Sequence, residues 1–168
     1  AVRITKIKDV PLLYWTAASW AAAISVSKND PDLIADLPIA VAIMDRALAL
    51  DESFDYGAIH TFFITYEMSR QGVEGDPVGR ATKHFERAVE LSQGLQAGPF
   101  VAYAEAVCVQ TQNLKQFESL LNRALAIDVN TRPEWRLANL IMQRRAKWLV
   151  SRTDQLFLNK GTEKNSGS

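Results

Sequence analysis

The sequence predicts an all-α fold of about three helix pairs closed by a C-terminal capping helix. Three observations carry that prediction. The stretches "DRALALD" (45 to 51), "ERAVELS" (86 to 92) and "NRALAID" (122 to 128) repeat one pattern. Each ends an amphipathic run preceded by an apolar, aromatic-rich segment of helical period. Prolines and glycines fall between these runs, and no alternation of β-branched residues persists long enough to read as a strand.

The first pair opens with "LLYWTAASWAAAI" (12 to 24). It lies inside 18 uncharged residues, Val10 to Ser27, so a membrane span has to be weighed. Thr16, Ser19, Ser25 and Ser27 dilute the run, and Trp15 and Trp20 sit nearer its middle than at bilayer interfaces. We read it as a buried helix and expect no transmembrane helix. The polar turn "KNDPD" follows, with a break expected at Pro38, and then Ala40, Met44, Ala47 and Leu50 mark one helix face.

The second pair joins "YGAIHTFFITYEM" (56 to 68) to the face Ala81, Phe85, Ala88, Leu91 through "QGVEGDPVG". The third joins "PFVAYAEAVCVQ" (99 to 110) to Phe117, Leu121, Ala124, Ile127 through "TQNLKQF", where Asn113 sits at a helix-cap position. In each copy the alanine at 47, 88 or 124 removes bulk where a partner helix approaches. Pro11, Pro31, Pro77, Pro99 and Pro133 lie at or near helix starts, and Gly72, Gly94 and Gly98 near helix ends.

The last helical stretch, 133 to 158, offers Trp135, Leu137, Ala138, Ile141, Met142, Trp148 and Leu149 as an apolar side against Arg136, Arg144, Arg145, Lys147 and Arg152. An amphipathic helix without a following partner suits the end of a stack. We therefore expect a single domain over residues 1–158, with 159–168 a disordered polar tail.

Spacing between the matched alanines, 41 and then 36 residues, exceeds the roughly 34 of an undecorated tetratricopeptide repeat (TPR). The sequence Ala81, Phe85, Ala88 and the tight turn at Asn113 resemble that repeat; the preceding helices match it poorly. The fold expected is TPR-like, an α-solenoid or superhelix.

Composition excludes more than it selects. Nineteen Lys+Arg balance nineteen Asp+Glu, so no net field argues for nucleic acid. Cys108 is the single cysteine and His60 and His84 are the only histidines, which leaves no disulfide framework and no Cys/His zinc cluster. The glycine-rich "GVEGDPVGRAT" follows no strand and ends in no Gly-Lys-Ser/Thr, so it does not read as a phosphate loop. No local motif marks a nucleophile with its base. We expect no catalysis, no cofactor and no metal.

Charge is unevenly placed. Residues 30 to 55 hold seven acids against Arg46, and residues 132 to 152 hold six bases against Glu134. Two solvated surfaces explain this, and so do poles for oriented docking or self-association. Polar groups inside the apolar segments are similarly two-sided. His60 reads as a satisfied core imidazole or a ligand contact; Glu105 reaches water in a groove or meets a cation, because a bare buried carboxylate is costly. Asn139, Glu67 and Tyr66 belong with them. Trp15, Trp20, Phe63 and Tyr103 are core aromatics or the lining of a concave wall.

The ordered set "LLYWTAASWAAAI", "DRALALDESFDYGAIHTFF", "HFERAVELS", "VAYAEAVCVQTQNLKQFESLLNRALAID" and "RLANLIMQRRAKWLV" resembles the TRAP-transporter-associated TPR proteins, the TatT component family, from about Asp9 to Leu158. The resemblance implies a non-catalytic periplasmic lipoprotein that docks the solute-binding (P) subunit of a TRAP transporter. It implies a ligand path for a small organic or hydrophobic molecule, and homo-oligomers, a trimer among them. The lipid anchor and export signal are expected in a longer precursor, with this chain N-terminally truncated. Carried onto this sequence, Tyr14, Trp15, Trp20, His60, Phe63, Tyr66, Tyr103 and Glu105 are expected to line the ligand path or docking surface. The rival reading is a general TPR scaffold that binds a peptide or protein tail in its concave groove.

Overall fold

Short polar side chains start helices where the sequence places them. Asp30 Oδ1 accepts from the Leu33 amide at 3.1 Å, Asp76 Oδ1 from Gly79 at 2.8 Å, and Asn113 Oδ1 from Gln116 at 3.1 Å. Each meets an amide that a helix start leaves without an intrahelical partner. The computed structural model describes residues 4–27, 29–70 and 74–158, and among these every regular element is helical. Gly72 and the expected tail 159–168 lie outside the described residues. Contacts group the chain into two compact units, residues 1–62 and 63–168.

In the first unit, α1 (Val10–Val26) packs on α3 (Leu37–Leu50), with the short α2 (Pro31–Ala35) between them in sequence. The break falls at Asp36, which leaves Pro38 in the first turn of α3, where its missing N–H costs nothing. Leu13, Ala17 and Ile24 of α1 are buried, as are Ala40, Met44 and Ala47 of α3. Arg46 ties the entering chain down, donating to the Thr5 carbonyl at 2.7 Å and the Thr5 hydroxyl at 3.2 Å. After α3 the chain turns through Asp55, Tyr56 and Gly57, all at positive φ. Only the glycine adopts that conformation without strain.

The uncharged run is thus a helix, but buried on one face only. Leu12, Trp15, Thr16, Ser19, Ala22, Ala23 and Val26 of α1 are exposed. No helix among the described residues is long and apolar enough to cross a membrane.

Helix α4 (Ala58–Ser69) begins in the first unit and ends in the second. The second unit continues with α5 (Pro77–Leu91), α6 (Gly98–Tyr103), a π-helical turn over Ala104–Cys108, α7 (Leu114–Leu125), α8 (Arg136–Ser151) and the short α9 (Thr153–Leu156). Neighbours in sequence are neighbours in space: α5 meets α6, α6 meets α7, and α7 meets α8. Phe100, Phe117, Leu121, Val107 and Leu149 fill the core, with Ala81, Ala124 and Ala146 where backbones come close. Ala47, Ala88 and Ala124 have no exposed surface, so the repeated alanine is buried in every copy.

Of the two described glycines expected near helix ends, one lies there and one does not. Gly94 (φ +69°) ends α5, its amide reaching back to the Val89 carbonyl at 2.8 Å in a Schellman closure. Gly98, expected near a helix end, instead opens α6 with Pro99 in its first turn. The link between them is pinned from α8: Asn139 Oδ1 accepts from Ala97 N at 2.8 Å, and its Nδ2 donates to Leu95 O at 2.9 Å. Asn139 is buried because both ends of its amide are used. Gln143, one turn on, donates to the Ile127 carbonyl at 2.8 Å and the Ala124 carbonyl at 3.1 Å, satisfying the C-terminal end of α7.

The capping helix is rotated relative to expectation. Trp135, Asn139, Ala146, Leu149 and Thr153 face inward, whereas Leu137, Ala138, Ile141 and Trp148, assigned to the apolar side, are exposed. The inward face is chosen by the two amides, Asn139 and Gln143, whose backbone partners lie in the core. The hydrophobic pattern alone does not register that demand.

Candidate functional site

Helix α4 and the α6/π segment each present a stripe of small or polar side chains at helical spacing. Thr65, Met68 and Ser69 come from α4; Ala102 and Ala106, four apart, flank Glu105 on the other element. With Gln110 they line a groove of about 310 Å³ within the second unit. Alanines keep it open, and the hydroxyls, the Gln110 amide and the Glu105 carboxylate supply polar edges. Gln110 Nε2 lies 3.5 Å from the Met68 carbonyl.

The π-helical turn carries Glu105. A π turn widens the helix locally and is common at functional sites. Glu105 meets both conditions that the cost of a bare carboxylate allows. It is about two-fifths exposed, and it accepts from Arg145 Nε at 3.2 Å and, in a second and shorter contact, from Arg145 Nη2. This is a bidentate fork. The hydrogen bond that Arg145 donates to Glu105 raises the Arg145 pKa above its ordinary value, so the guanidinium stays charged. The same guanidinium lies 4.2 Å from the centroid of the Trp148 ring.

Cys108 closes the π turn and is buried. Burial pushes its thiol up to about 12, which keeps it protonated and unreactive. Of the groove hydroxyls, Ser69 Oγ donates to the Tyr66 carbonyl at 2.9 Å, and the one carboxylate in the lining, Glu105, is paired with Arg145. Among the described residues no group of three His, Cys, Asp or Glu side chains is placed to hold a metal. The arrangement offers hydrogen-bond donors and acceptors beside a small apolar floor, which is the chemistry of binding.

The eight expected residues divide between the units. In the first, Tyr14 packs its ring 5.2 Å from those of Trp15 and Phe54. Burial, and then the Asp55 carboxylate, raise its phenol above the ordinary range. Trp15 is 62 % exposed, and Trp20 is half-buried. His60 is buried, its Nε2 3.4 Å from Glu52 Oε2.

In the second unit Phe63 stacks on His84 at 5.0 Å and meets the edge of Tyr66 at 5.9 Å. Tyr103 is buried, its hydroxyl 2.8 Å from Thr82 Oγ1. Of these four, Glu105 lines the groove, while Phe63 and Tyr103 serve the core. Glu67 is a lock: its buried carboxylate accepts from Arg80 Nε at 2.6 Å and Arg70 Nη1 at 3.0 Å, joining the end of α4 to the start of α5.

The reading of residues missed Thr65, Met68, Ser69, Ala102, Ala106 and Gln110. A signal existed in the two small-or-polar pairs at four-residue spacing, Thr65 with Ser69 and Ala102 with Ala106.

Comparison with known proteins places this geometry in context. A family model described as the TRAP transporter T-component matches residues 1–157. A relative described as an uncharacterized protein of Treponema pallidum (strain Nichols) is 28 % identical over 157 residues, 94 % of this chain and 48 % of the relative. The chain thus spans about half the length of that curated relative.

Proposed function

The chain belongs to the TRAP transporter T-component family, and on that premise we propose that it is a non-catalytic accessory component of a TRAP transport system that docks the solute-binding subunit. The docking element is the groove between α4 and the α6/π segment. The observation that carries this reading is the Glu105–Arg145 fork at the groove, two-fifths exposed and bidentate. Such a pair is a directional recognition element at low conformational cost. The succession of α5, α6, α7 and α8 as spatial neighbours supports a TPR-like stack in the second unit. A periplasmic location and a lipid anchor in the precursor follow from the same family reading, as does a small organic ligand passing along the groove.

The test is titration of the purified chain with the solute-binding subunit of its own transport system. Ala106→Phe fills the groove from its floor, and Glu105→Gln with Arg145→Gln removes the charged fork. We expect each to weaken binding about tenfold or more, the scale of losing a buried anchor or a charged hydrogen bond. Unchanged affinity in both would reject the groove as the docking element. Binding of unrelated peptides in place of the subunit would favour a general scaffold.

A further inference from the structure

The outer face of α8 is a surface whose apolar stripe the proposed function leaves unused. Leu137, Ile141 and Trp148, spaced four and seven residues apart, form one exposed stripe; Leu137 is 71 % exposed and Ile141 52 %. Bases border it on both sides. Arg136, Arg144 and Lys147, all exposed, lie along one edge, and Arg145 and Arg152 along the other. From Arg136 to Thr153 the chain has no acidic residue. Trp148 sits at the junction with two guanidinium groups over its ring, Arg145 at 4.2 Å and Arg152 at 5.7 Å.

We propose that this face of α8 docks in the plane of a bilayer surface rich in anionic phospholipid headgroups. The stripe is too narrow to be a span, and α8 is firmly seated in the core by Asn139, Ala146 and Leu149. What it presents is an apolar strip of modest width with long basic side chains on both flanks, able to lower the strip to the acyl boundary while their charges stay at headgroup level. A tryptophan at the polar edge suits the same depth. Charge complementarity selects the occupant: bases on both flanks, with Arg145 alone among them paired to Glu105, answer an anionic lipid surface, which offers negative charge on every side of the strip.

Binding of the purified chain to mixed phosphatidylcholine and phosphatidylglycerol vesicles, against phosphatidylcholine alone, tests the proposal by co-sedimentation. Wild type is expected to bind the mixed vesicles and to be released by salt. Arg144→Gln with Lys147→Gln should weaken binding roughly 25-fold, at about fivefold per base near a charged surface. Leu137→Gln with Ile141→Gln should weaken it by about tenfold or more at unchanged helicity, through lost apolar burial.

Equal binding to both vesicle types, no binding to either, or indifference to both variants overturns the proposal. It is also overturned if Leu137→Gln with Ile141→Gln converts a lipid-free oligomer to monomer in sedimentation velocity, because a second copy then covers the face. These readouts involve no transporter subunit, so they stand or fall apart from the docking reading.

Discussion

Glu105 and Arg145, forty positions apart in sequence, form a bidentate ion pair that joins the π-helical turn to α8, with both side chains 41 % exposed. Their exposure sets the scale of what the pair does. Solvent-facing pairs contribute little to stability, so its value lies in fixing the orientation of the groove wall.

A double-mutant cycle with Glu105→Gln and Arg145→Gln should therefore give a coupling of only about 0.5–1 kcal/mol, shrinking in high salt. Chemical denaturation of the four proteins measures it. A coupling of several kcal/mol would mark the pair as structural and remove the reason for assigning it to recognition.

Glu67 is the opposite case, because its carboxylate is buried between Arg70 and Arg80. Arg80→Met breaks the shorter contact and leaves a buried charge with one partner, at a cost of about 2–3 kcal/mol. Arg70→Met should cost less, since Arg80 retains the 2.6 Å contact. Urea midpoints at constant slope check the order; equal effects would show that Glu67 is insensitive to which cation remains.

Cys108 links stability to alkaline pH. Its folded thiol is pushed up to about 12 from an ordinary 9.0 by burial, so above pH 9 the unfolded chain releases the proton first. Stability is then lost as pH rises from 9 toward 12, by about 1.4 kcal/mol per pH unit from this group. Cys108→Ala should flatten the decline in that window. Reaction of the native thiol with a disulfide reagent at neutral pH should occur only as fast as the protein opens, and rapid labelling would contradict its burial.

Ala88 has no exposed surface and sits at the repeated contact position of α5. Ala88→Leu adds three carbons where none fit and should cost about 1–3 kcal/mol or more by overpacking. The same change at exposed Ala138 should be nearly neutral. Thermal melts of the two variants separate the cases, and equal melting points would place Ala88 outside the helix contact.

Much of the fold was legible in the residues. The period of Ala40, Met44 and Ala47, of Ala81 and Ala88, and of Phe117, Leu121 and Ala124 identified the buried faces, since helical spacing and lack of bulk are local properties. Asp30, Asp76 and Asn113 marked helix starts for the same reason. The site was legible only in part. Glu105 stood out as a carboxylate in an apolar run, yet its partner Arg145 lies on another helix and no local pattern points to it.

What the sequence determined by itself was therefore the all-helical class and the contact positions of α3, α5 and α7, because periodicity, capping and breakers act within a few residues. The tertiary structure alone decided which face of α8 turns inward, where the chain needed Asn139 and Gln143 to satisfy Ala97, Leu95 and the carbonyls ending α7. It likewise decided that small side chains from α4 and α6 meet across a groove. Both outcomes depend on hydrogen-bonding demand and shape between segments distant in sequence, and an unsatisfied buried amide outweighs the preference of a leucine or tryptophan for the interior.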